Sequence, residues 1–142
     1  MSSKISVSIT ISGDDLNFDE CTNIVGVAPS NTFVRKYHYD SSLVPVCQWS
    51  YTTQKIELES INDAVTILLK KLEPSLPQIS IFANTRDYQI EFACSVDVYE
   101  DRPLYELSCE TITHLAVLRA RFSMEIHDFT EAAPARAIKG SD

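Results

Sequence analysis

Ile5, Val7, Ile9 and Ile11 alternate with Ser6, Ser8, Thr10 and Ser12. Successive side chains of a strand point to opposite faces, so this run predicts a strand with one apolar and one hydroxylated face. A second alternation sets Ile90, Phe92, Cys94, Val96 and Val98 against Gln89, Glu91, Ala93, Ser95 and Asp97. It predicts the longest strand of the chain, at or near the centre of its sheet. Cys47, Trp49 and Tyr51 share one face of a shorter run, and Phe122, Met124 and Ile126 mark a closing strand. Phe33 to Tyr39 also reads as a strand, but with Arg35, Lys36 and His38 on both faces. Such charges suit a sheet edge, where they discourage unwanted pairing. The stretch from Tyr39 to Pro45 supplies the turn into the Trp49 strand.

Between these runs the period changes to that of a helix. Ile61, Ala64, Val65, Leu68, Leu69 and Leu72 fall on one stripe, opened by Ser60 as N-cap and closed by Pro74. Lys70 and Lys71 complement the negative end of its dipole. This stripe is expected to pack with Trp49 in one core. An earlier helix begins with Asn17 and Glu20 in capping-box spacing after a break at Gly13-Asp14-Asp15, buries Phe18, Cys21, Ile24 and Val25, and ends at Gly26. Pro77 fits the first turn of a short helix carrying Ile79 and Phe82. Leu107 and Ser108 open the last helix, with Ile112, Leu115, Ala116 and Leu118 expected inward.

The resulting order is β-α-β-β-α-β-α-β. Its first six elements match the split βαβ pattern, so the expected class is α+β: a ferredoxin-like two-layer sandwich on a mainly antiparallel sheet, with an extra helix and strand. With 142 residues and no internal repeat, the chain makes one domain, expected over residues 1–130, followed by a flexible tail at 131–142.

A net charge of −8 argues against nucleic-acid backbones and anionic membranes, and favours a basic protein partner. Solubility alone also favours such a charge. No apolar run approaches the ~20 residues needed to span a bilayer, and the first residues enter a strand without a signal-peptide pattern, so a cytoplasmic location is expected. Cys21, Cys47, Cys94 and Cys109 are widely spaced inside apolar segments and read as free, buried thiols. His38, His114 and His127 stand apart, no closely spaced ligand pairs occur, and no metal or other cofactor is expected. No Gly-x-Ser-x-Gly elbow surrounds a serine, and Ser108 reads as a helix cap.

The densest acidic segment contains Asp97, Glu100, Asp101, Glu106 and Glu110, with Tyr99 and Tyr105 among them. Carboxylates steer a basic surface into place, and tyrosine supplies contact area with a polar tip, so these seven residues form the candidate partner-binding set. The plainer reading is a solvated turn with favourable charge at a helix start. A second cluster, Asp14, Asp15, Asp19 and Glu20, is explained by the turn and by capping. Asp97 and Asp101 as an acid and base pair, or as cation ligands, lack a supporting histidine and calcium-loop spacing.

Several landmarks together resemble an uncharacterised bacterial family, domain of unknown function 4279. They are Ile9-Thr10-Ile11-Ser12-Gly13-Asp14-Asp15-Leu16, Ile24-Val25-Gly26-Val27-Ala28-Pro29, Trp49-Ser50, Leu68-Leu69-Lys70-Lys71-Leu72-Glu73-Pro74, and Leu115-Ala116-Val117-Leu118 followed by Met124-Glu125-Ile126. The similarity spans most of the chain; Phe33 to Pro45 departs from it in lacking a Lys-Gly-rich turn. Small acidic domains of this type are similar in size and charge to immunity proteins that neutralise bacterial toxins. The expected function is therefore non-enzymatic protein binding, most concretely inhibition of a toxin such as a basic nuclease. The alternative is a small-ligand-binding or regulatory domain using the cleft between sheet and helices. The oligomeric state is left open.

Overall fold

The computed structural model describes residues 2–35 and 46–130. The outer part of the expected Phe33 to Tyr39 strand, the turn at 39–45 and the tail at 131–142 lie outside these residues. In chain order the elements are β1 (Lys4–Asp14), α1 (Phe18–Val25), β2 (Asn31–Arg35), β3 (Val46–Thr52), β4 (Ile56–Glu57), α2 (Ile61–Leu72), α3 (Leu76–Thr85), β5 (Gln89–Val98), α4 (Cys109–Val117) and β6 (Arg121–Asp128). A 3-10 turn at Glu73–Ser75 joins α2 to α3. The class is α+β, built on an open, mainly antiparallel sheet of six strands.

Its order is β2-β3-β1-β5-β6, with the two-residue β4 also on β1. β3 is antiparallel to both β1 and β2, so β1 and β2 run parallel with β3 between them. β5 is antiparallel to β1, and β6 returns parallel to β5 after α4. β5 is interior as expected, but β1, at 11 residues against 10, is the longer strand and the more central one. β2 does lie at an edge.

Register explains the core. Ile5, Val7, Ile9 and Ile11 sit opposite Val96, Cys94, Phe92 and Ile90, and all eight are buried. The helices bury their apolar stripes against this face in a single core that also contains Trp49, Leu68, Leu72 and Ile79. Trp49 is fully buried, and its indole N–H donates to Thr22 Oγ1 on α1 at 3.0 Å. α2 buries Ile61, Ala64, Val65, Leu68, Leu69 and Leu72, the whole of the stripe read from the sequence.

Helix ends follow local chemistry. Asn17, Ser60 and Ser108 each accept a bond from the amide three residues on, which satisfies a donor that the first turn leaves without an intrahelical partner. Glu20 does not complete a capping box; its carboxylate takes a two-pronged bond from Arg86 at 2.7 and 2.8 Å. Gly26, at φ 87°, ends α1 in the left-handed region open to glycine. Gly13 does not break β1, which continues to Asp14 and turns at Asp15, φ 59°. A Cβ on Gly13 would come within 2.1 Å of the Tyr88 ring, so the position needs glycine for contact rather than for a turn.

Two inward assignments are corrected. α4 buries Thr111, Leu115 and Leu118, whereas Ile112 and Ala116 face solvent. The Ser108 cap and a Thr111–Ser108 hydroxyl contact of 3.0 Å set the rotation of the first turn, and the polar Thr111 takes the inward position. Cys109 is exposed in the first turn of α4, and Cys47, which shares the inner face of β3 with Trp49 but lies toward the end of the strand opposite Gly13, is only partly covered; Cys21 and Cys94 are buried.

Burial pushes the Cys21 thiol up to about 12, with nearby Glu20 adding to the effect, and the Cys94 thiol up to about 11. Between the ordinary value of 9.0 and these values, the unfolded chain releases protons that the folded one retains. Stability therefore falls as pH rises above about 9. Denaturation midpoints measured from neutral to alkaline pH check the sign. Thiol-reagent labelling of the native protein is expected at Cys109, with Cys21 and Cys94 reacting only on unfolding. Leu68→Ala is expected to cost about 2–5 kcal/mol in a urea titration followed by Trp49 fluorescence; unchanged stability would remove α2 from the core.

Candidate interaction site

The helices leave the other face of the sheet to hydroxyl groups. Ser6 pairs with Ser95, Ser8 with Ala93 and Thr52, and Thr10 with Glu91 and Ser50. Thr10 and Ser50 hydroxyls meet at 3.0 Å, and Ser123 Oγ donates to Glu91 Oε2 at 2.7 Å. Ala93, with almost no side chain, leaves a shallow depression among Ser8, Thr52, Ser95 and Ser123.

At the end of β5 this face becomes charged. Lys55 Nζ donates to Ser95 Oγ and to Asp97 Oδ1, both at 3.0 Å. His127, opposite Asp97 in the parallel register, places Nδ1 3.3 Å from Asp97 Oδ1 and Nε2 3.7 Å from Glu125 Oε2. Asp97 is only 20% exposed and sits between these two partners. Of the seven residues expected to bind a partner, it is thus the one most occupied within the molecule.

Beyond β5 the chain is tied down at both ends. Ser3, itself buried, accepts from the Tyr99 amide at 3.1 Å and donates to the Asp101 carbonyl. Leu104 donates to the Glu59 carbonyl at 2.8 Å and accepts from the Ile61 amide at 3.0 Å. Between these anchors Glu100 and Asp101 are exposed, and past Leu104 so are Tyr105, Glu106 and Glu110. Tyr99 stacks on Phe129, ring centroids 5.3 Å apart and planes 18° apart. Arg102 approaches Asp128 at 3.8 Å. The Asp128 carboxyl lies below its usual range, chiefly through the Thr130 amide bond to it.

The expected set therefore divides. Asp97, Tyr99, Glu100 and Asp101 stand at the strand end, around the Tyr99–Phe129 stack. Glu110, by contrast, lines a groove with Thr66, Lys70 and His114 between α2 and α4. Lys55, Glu125, His127, Asp128 and Phe129 also belong to the patch, although the acidic segment read from the sequence omits them. For the β6 residues the signal was the parallel β5–β6 register, which alignment of the two alternations would have suggested; Lys55 left no such signal.

Lys55 donates to Ser95 and to Asp97 alike, so it is aligned as a shared donor and not as a base directed at the serine. Asp97 and Asp101 have separate partners, the latter's Oδ2 accepting from Ser2 at 3.4 Å. Among the described residues no group of three His, Cys, Asp or Glu is placed to hold a metal ion. No described helix is long and apolar enough to cross a membrane.

The sequence matches a family model described as a domain of unknown function, DUF4279, over residues 3–129. The chain belongs to this family. No curated protein and no solved structure matches it. The DUF4279 match covers the four helices and six strands of the described residues, and it ends at Phe129, the ring that closes the aromatic stack.

Replacing Lys55 by Met is expected to cost about 1 kcal/mol, since it deprives the largely covered Asp97 of a charged donor. Paired with Asp97→Asn the loss should be smaller than the sum of the two single losses. Additive losses in a double-mutant cycle would show that the ion pair contributes nothing to folding.

Proposed function

We propose that this DUF4279 domain is a non-enzymatic protein-binding domain of the immunity type, which covers a basic surface of a bacterial toxin in the cytoplasm. A basic nuclease is the partner class that its charge fits best. The observation that carries the reading is the Tyr99–Phe129 stack set among Asp97, Glu100, Asp101 and Asp128 on backbone pinned by Ser3 and Leu104. A rigid aromatic centre loses little entropy on binding, while exposed carboxylates at its rim steer an Arg-rich or Lys-rich surface and reject acidic ones. The net charge of −8 adds a long-range attraction of the same sign.

The small-ligand alternative would use a surface depression: the groove lined by Thr66, Leu69, Lys70, Leu76 and His114, at about 150 Å³, is below the ~300–1,000 Å³ of ordinary ligand sites, and those over Ala93 and beside Glu57 and Asp101, at about 340 and 410 Å³, reach only the lower end of that range. The acidic and aromatic patch is the better supported surface.

The experiment uses the product of the adjoining gene, purified with and without this chain. Complex formation and loss of toxin activity at equimolar ratio are expected. Asp101→Asn combined with Glu106→Gln should slow association several-fold at low salt and progressively less as salt screens the charges. Phe129→Ala should instead speed dissociation, because the ring stands at the centre of the contact. A toxin that stays fully active in the presence of excess chain, with no complex by gel filtration, would remove the inhibitor reading.

A further inference from the structure

β6 ends the sheet: β5 pairs with one side of it, and among the described residues no strand pairs with the other. The Phe129 amide donates to the Val98 carbonyl at 2.8 Å, which fixes the phase of the strand. Odd-numbered residues of β6 direct their backbone groups to β5, and Phe122, Met124 and Ile126 direct theirs outward. An edge of this kind is a template for another strand. Its apolar side chains are also incompletely covered, Met124 at 42% and Ile126 at 49% exposure.

The side-chain sequence selects an occupant. Arg121 and Glu125 are four residues apart on one face of β6, with Ser123 midway between them. We propose that β6 pairs antiparallel with β6 of a second copy of this chain about a two-fold axis at Ser123, joining two sheets into one. In this register Arg121 lies opposite Glu125 of the second copy, and the symmetry makes the same ion pair twice. Phe122 lies opposite Met124 on the other face, and both are outward-bonding residues, as a hydrogen-bonded antiparallel pair requires. Ser123 meets its own copy at a non-hydrogen-bonded position, where two small side chains fit the closest approach. Shifting the axis to Glu125 would set Glu125 against itself, and shifting it to Met124 would set Arg121 against His127. Charge and hydrogen-bond phase thus agree on one register. The contact is short, so the dimer is weak and depends on concentration.

The register makes the test specific. In a Cys109→Ser background, Ser123→Cys is expected to form a disulfide-linked dimer under mild oxidation, since directly opposed residues match disulfide geometry. Arg121→Cys and Glu125→Cys, each several residues from its own copy, should cross-link about tenfold more slowly alone and efficiently when mixed. In sedimentation experiments Arg121→Glu or Glu125→Arg should weaken the dimer by about tenfold, and the two together should restore it. Equal cross-linking at all three positions would overturn the register. A wild-type chain that sediments as a monomer at every concentration would overturn the dimer and leave the edge to a strand from another protein. The cysteine variants keep the test decisive if charge reversal beside Glu91 disturbs the fold.

Discussion

The one-sided alternation of β1 is the constraint on which the rest of the structure depends. This strand pairs with β3, β4 and β5, and the inner-face residues from Ile5 to Ile11 are all β-branched aliphatics buried to the last few per cent. A slip of one residue in any of these pairings would turn Ile5, Val7, Ile9 and Ile11 toward the hydroxylated face. The central register is therefore fixed by burial, and it fixes the others. Ile9 opposite Phe92 and Ile11 opposite Trp49 determine where α1 and α2 find an apolar surface. The helices gather on that face because the opposite one offers mostly hydroxyls, amides and charges, with Ala93 and Phe33 as apolar exceptions.

Where one face of an element is buried and the other wet, the sequence was a sufficient guide. The α2 stripe, the β1 and β5 alternations and three N-caps could all be read because burial and capping leave strong, periodic marks. Legibility failed where tertiary contact overrode local chemistry. Gly13 looks like a strand breaker, yet it stays in the strand because the Tyr88 ring lies against it. Ile112 looks inward and is exposed, since an apolar residue on a short helix can as well lie beside the core as in it. β4 is two residues long, too short for any period to show.

The candidate site shows the same limit more sharply. Its acidic segment was visible because the carboxylates are close in sequence. Its aromatic centre was not, because Tyr99 and Phe129 are neighbours only through the parallel pairing of β5 and β6. That pairing also brings His127 beside Asp97 and changes the meaning of the first residue in the segment. Asp97 is a structural carboxylate, tied to Lys55 and His127, whereas Asp101 and Glu106 are exposed.

This division has a physical consequence for how such a domain can bind. A carboxylate already matched by a lysine gains little from a basic partner, since that partner must first displace or share the existing donor. An exposed carboxylate on pinned backbone keeps more of its field in solvent, where it reaches about a Debye length. In the binding proposed above, attraction at a distance would come from the rim, while the stacked rings would supply contact area once the surfaces meet. The partly buried Lys55–Asp97 pair serves a different end: it ties the end of β5 to the segment between β3 and β4, as His127 ties it to β6. Specificity in this arrangement rests on rigidity as much as on charge, because the same carboxylates on a loose loop would attract many basic proteins without selecting one.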